Sequence, residues 1–127
     1  MGLKDNKRKS KNIFYSFKYA FEGIFYGFRT ARNLIVDIVV AFLVVLFGFL
    51  LDISINEWLV VILCFGLVMS LELVNSAIEE VVDMTMPDVN VRAKRSKDLA
   101  AGAVLMSAFM SMIIGIIIFL PKLINLL

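Results

Sequence analysis

The sequence has no histidine, one cysteine, two prolines and little charge: 19% of its 127 residues are Asp, Glu, Lys or Arg, against 61% apolar. Each shortage excludes something. Without imidazole there is no histidine base, nucleophile or metal ligand, so any chemistry falls to carboxylates, lysines, amides and hydroxyls. Cys64 stands alone and cannot close an intramolecular disulfide. Soluble domains carry about a quarter charged residues, and a mean hydropathy of +0.90 belongs to a chain whose solvent is largely hydrocarbon. Globular soluble folds, disordered tails and nucleic-acid modules are excluded on these grounds.

What is present is long apolar runs. A hydrocarbon core of about 30 Å asks for about 20 helical residues, and three stretches qualify: 34–51, apolar except for Asp37; 58–82, after the polar break Asp52-Ile53-Ser54-Ile55-Asn56-Glu57; and 99–120, which Pro121 is expected to stop. Their continuous hydrophobicity lacks a barrel's alternation, so they are expected to be helices. Twelve of the thirteen basic residues precede the first run or lie in the 83–98 connection, and only Lys122 lies beyond the third. The positive-inside rule then predicts a multi-pass membrane protein with a cytoplasmic N-terminus and an external C-terminus. The first run is longer than a signal-peptide core, so it is expected to be retained.

Residues 1–12 form a basic tail. Residues 13–32 place Ile13, Phe14, Phe17, Phe21, Ile24, Phe25 and Phe28 at spacings of three and four, broken by Lys18, Glu22, Arg29 and Arg32. That pattern predicts an amphipathic helix in the cytoplasmic interface, too polar to span. In the third run Ala103, Ser107, Ser111 and Gly115 put a small residue at every fourth position. Such a stripe permits close helix contact, between copies or within one. The fold class is therefore an all-α membrane protein, an interfacial helix followed by three transmembrane helices in a single unit. Three spans make a thin bundle, and a homo-oligomer is expected.

The informative residues are Glu72, Asn75, Glu79 and Asp83, which at 100° per residue fall within a sector of about 80° on one helix face. An unpaired carboxylate at the depth of Glu72 costs several kcal/mol or so, and needs a partner, a cation or a watery cleft. Three readings fit. The acids can pair with Lys97, Lys94 or Arg95 in a packing seam; Glu72 can couple a cation in a small transporter; or the face can be a cytoplasmic active site. The active-site reading gains from Arg92, Lys94, Arg95 and Lys97 at the start of the third helix, where side-chain charge and helix amides together suit a polyphosphate, and from carboxylates that suit Mg²⁺. The transporter reading suffers because the outer half of the bundle is uniformly apolar. No Walker loop or protein-kinase loop is present.

The elements E-x-x-N-x-x-x-E-x-x-x-D at Glu72, Asn75, Glu79 and Asp83, and K-D-x-x-x-x-A-V from Lys97 to Val104, resemble the signature of the bacterial integral-membrane diacylglycerol kinase family. The likeness covers most of the chain, and residues 17–24 and 92–95 are similar to its Gram-positive branch, whose preferred substrate is undecaprenol. The resemblance implies a homotrimer with active sites at the cytoplasmic boundary that transfers phosphate from ATP, with Mg²⁺, to undecaprenol or else diacylglycerol. It implies Glu72 as general base, Asn75 orienting it, Glu79 holding Mg²⁺, Asp83 and Asp98 shaping the nucleotide site, and Lys97 neutralising phosphate. The pattern departs at Ala31, where the family usually has a second metal-binding Glu; Asp37 is the candidate substitute, and a catalytically weak relative is the alternative.

Overall fold

A computed structural model describes residues 12–127 apart from residues 87 and 89. The tail expected at 1–12 lies outside the described residues except for Asn12. Four helices follow one another: α1 (Ile13–Thr30), α2 (Arg32–Leu50), α3 (Ile55–Thr85) and α4 (Val91–Leu126). The last three are long and apolar enough to cross a membrane, and no more than 17% of the residues in the most apolar window of any of them is buried. Their uncovered sides therefore suit lipid or neighbouring copies.

Asn12 starts α1 by accepting the Phe14 amide at 3.1 Å. It ends at Ala31, whose extended backbone (φ −92°, ψ 109°) separates α1 from α2 by one residue. Phe14, Phe17, Phe21 and Phe25 are exposed. Gly27 is buried, and a Cβ there would run into Leu73 and Leu34.

The turn between α2 and α3 is closed by backbone bonds from Ile53 to Gly48 (3.1 Å) and from Leu51 to Phe47 (2.8 Å), with Asp52 in the left-handed region at φ 52°. This is a Schellman-type stop with Asp taking glycine's usual place. Ser54 and Glu57 then form a reciprocal capping box, at 3.2 Å and 3.0 Å, that satisfies two orphan amides of α3. Ile53, Val61 and Ile118 form a small buried cluster here with Val44, Trp58, Phe65, Ile114 and Phe119 around it. Gly48 is required by Trp58, whose ring atoms would stand 2.6 and 2.8 Å from a Cβ.

The helix α4 does not stop at Pro121 but continues to Leu126. Proline removes one amide donor without forbidding the residues after it from staying helical, and Lys122 in the continuation reaches Glu57 at 3.4 Å. The small-residue stripe is used within the protomer: Ser107 is buried and Ser111 half-buried, their hydroxyls donating to the carbonyls of Val104 and Ser107 at 2.8 Å. Length sets the depth of the polar face. Glu72 lies 17 residues from Ile55, about 25 Å along α3, and Asp83 about 42 Å. One is just inside a hydrocarbon core of about 30 Å and the other well beyond it.

Candidate active site

The i, i+3, i+4 spacing on α3 turns the four polar residues toward α1 and α4. Glu72 is only 4% exposed, with the Asn33 side chain in hydrogen-bonding reach and Asp37 and Glu79 near it. One turn on, the Asn75 amide donates to Glu79 Oε1 at 3.2 Å, while Asn75 Oδ1 is buried without a partner. Asp83 pairs with Lys97 of α4, and Lys94 pairs with Asp98 at 2.7 Å. The expected seam of acids and lysines therefore exists at Asp83 but does not reach Glu72 or Glu79.

These residues form one wall of an open cleft of about 650 Å³. Ala20, Gly23, Gly27 and Thr30 of α1 form the other, and Ala31 and Asn33 lie at its end. A neighbouring hollow of about 330 Å³ is lined by Asp83, Asn90, Lys94, Lys97 and Asp98. Asp83 lines both, so the acidic cleft meets there a hollow of mixed charge, in which Lys94 and Lys97 stand among Asp83, Asp88 and Asp98. That joins buried Glu72 to two lysines, each paired with an aspartate, within one α3–α4 end.

Two expectations change. The amides at the start of α4 are not free for an anion, because the Asn90 side chain accepts from Arg92 (2.8 Å) and Ala93 (3.3 Å); an anion there leans on side chains instead. Asp37 does not line the cleft. It lines a second, mostly apolar cavity of about 270 Å³ with Val40, Val44, Val68 and Ser111, and its buried Oδ2 has no partner. Ala31, by contrast, does line the cleft beside Glu72 and Glu79.

Sequence reading missed Asn33, Tyr26 and Glu80. The Tyr26 hydroxyl donates to Glu80 Oε1 at 2.9 Å, and the carboxylate beside it raises the tyrosine's pKa above the usual 10.0. Glu80 sits about 80° from Glu72 around α3, at the edge of the acid face, and Tyr26 was one aromatic among many.

Residues 18–119 match the family described as prokaryotic diacylglycerol kinase. The chain belongs to that family. It is 44% identical to an undecaprenol kinase of Bacillus subtilis over 97% of this chain and the whole of that protein. To a diacylglycerol kinase of Synechocystis it is 40% identical over 91% of this chain and 66% of the other. As a member of the diacylglycerol kinase family the protein is a membrane lipid kinase, a phosphotransferase with an alcohol acceptor. That decides for the kinase and against the transporter reading of the chain.

Proposed function

We propose that the protein phosphorylates undecaprenol, with diacylglycerol the lesser substrate, using ATP at the cytoplasmic face of the plasma membrane. The observation that carries this is the junction at Asp83 of a cleft ending on buried Glu72 with a hollow lined by Lys94 and Lys97. Glu72 is the general base that takes the proton of the lipid hydroxyl, and Asn75 helps orient it. Burial puts the base where a lipid headgroup arrives and water is scarce. Lys97, released from Asp83, neutralises phosphate charge, and Asp83 and Asp98 shape the nucleotide site. Phosphoryl transfer is mostly positioning and charge stabilisation, which these groups supply.

The donor set fits a magnesium ion. Glu79 is exposed on the cleft, and Mg²⁺ is usually held by one or two carboxylates with water and phosphate. Among the described residues no group of three acids, histidines or cysteines converges. When bound, the ion would neutralise charge on the transferred phosphoryl group. Glu79 is the residue that would hold it; Asp37, one cavity away, is the second candidate. We place α1 in the cytoplasmic interface with its Phe residues toward lipid, the N-terminus inside, the C-terminus outside, and three copies in the assembly, consistent with the exposed apolar sides of all four helices.

The test is transfer of radiolabel from ATP to lipid by purified protein in mixed micelles. Undecaprenol is expected to be labelled with the higher kcat/KM. Preference for diacylglycerol would overturn the substrate assignment, and labelling of neither would identify a catalytically weak relative.

A further inference from the structure

The second wall of the cleft, α1, is tied to α3 at two points. Gly27 is buried against Leu73, and its neighbour Tyr26 donates to Glu80 at 2.9 Å. Leu73 and Glu80 are seven residues apart, about 10 Å along α3. Adjacent residues of α1 are thus fastened to positions two turns apart on its partner. One close contact lets a helix swing about it, whereas a second contact offset by that distance sets its direction. The joint for such a swing is Ala31, where a single extended residue links α1 to α2. From Ile13 to Tyr26 every residue of α1 is exposed, so the long arm beyond the two attachments is not held by burial within the chain.

We propose that Tyr26 is a positioning residue: its hydrogen bond to Glu80 holds α1 at a set distance from α3 and thereby fixes the cleft that admits the lipid hydroxyl to Glu72. The proposal rests on the lipid-kinase reading above. A hydrogen bond that joins two helices shifts the balance of their arrangements severalfold, so one such bond can weight the position of an otherwise exposed helix. The hollow that carries Lys94 and Lys97 has no α1 residue in its lining. Loosening α1 therefore acts first on the lipid side and leaves Lys94 and Lys97 in place.

Three substitutions separate this from a merely structural role. Tyr26→Phe keeps the ring and deletes the donor; Glu80→Ala deletes the acceptor; Glu80→Gln keeps an oxygen to accept the hydroxyl. The KM for lipid is expected to rise about three- to tenfold in Tyr26→Phe and Glu80→Ala, the scale of one lost hydrogen bond. KM for ATP and kcat at saturating lipid stay unchanged, and Glu80→Gln behaves as the parent protein. An unchanged lipid KM in Tyr26→Phe, or Glu80→Gln matching Glu80→Ala, overturns the proposal.

A second measurement does not depend on turnover. Spin labels at Lys18→Cys and Met84→Cys, in a Cys64→Ser background diluted with unlabelled copies, report the spacing of α1 and α3 in nanodiscs. A narrow distance distribution is expected in the parent and in Glu80→Gln, and a broadened one in Tyr26→Phe and Glu80→Ala. The same narrow distribution in all four contradicts the tether. If the parent protein phosphorylates no lipid, the kinase reading fails while these distances still decide whether Tyr26 holds α1.

Discussion

The family resemblance predicts a metal-binding Glu where this chain has Ala31, and the place of Ala31 in the cleft beside Glu72 and Glu79 makes the consequence testable. A carboxylate introduced there by Ala31→Glu would stand among the residues assigned to the metal. The Mg²⁺ concentration for half-maximal turnover is expected to fall severalfold in a metal titration; an unchanged value would remove position 31 from the metal site. Tyr26 carries a pH prediction. Its pKa is raised chiefly by the hydrogen bond to Glu80, so the bond is fully present below the tyrosine's ordinary value and is lost as pH rises through the raised one. The separation of α1 and α3 should then be constant from about pH 6 to 9 and loosen only when tyrosinate absorbance appears. Residues on one helix were readable from spacing alone, as with Asn75 and Glu79. Tyr26 and Glu80 were not, because a period of 3.6 says which residues share a face and nothing about which helix meets it.

At the scale of elements, the clearest local code is the 51–57 turn. Ser54 and Glu57 carry the capping-box pattern, and Ser54→Ala is expected to cost about 1 kcal/mol. Gly48→Ala forces a Cβ against the rigid Trp58 ring and is expected to cost about 1–3 kcal/mol. Both are read as lower thermal unfolding midpoints in detergent, and a Gly48→Ala protein as stable as its parent would contradict the packing described. The three apolar runs announce their helices by length and composition, but their ends do not. Pro121 looks like a stop and is not one, because helix continuation depends on what the following residues meet, here Glu57 for Lys122. The stripe through Ser107 and Ser111 reads equally as a contact between copies or within one. Only the burial of Ser107, and the cavity that Ser111 and Gly115 share with Val61 and Phe65 of α3, show that it faces its own protomer.

At the scale of the whole molecule, scarcity of charge marks a membrane protein and the acids inside the second apolar run mark the cleft. If three spans cross the bilayer from a cytoplasmic N-terminus, a C-terminal tag should be reached by an impermeant label on intact cells; protection of that tag would contradict the orientation. The central claim is that the buried carboxylate at the end of the cleft is the base of a phosphoryl transfer. Glu72→Gln keeps the shape of the side chain and removes its basicity. The most direct measurement is the turnover of Glu72→Gln against the parent protein, with lipid and ATP saturating and the assembly shown to be intact. A loss of about 10²- to 10⁴-fold in kcat is expected, and a kcat equal to the parent's would contradict the account.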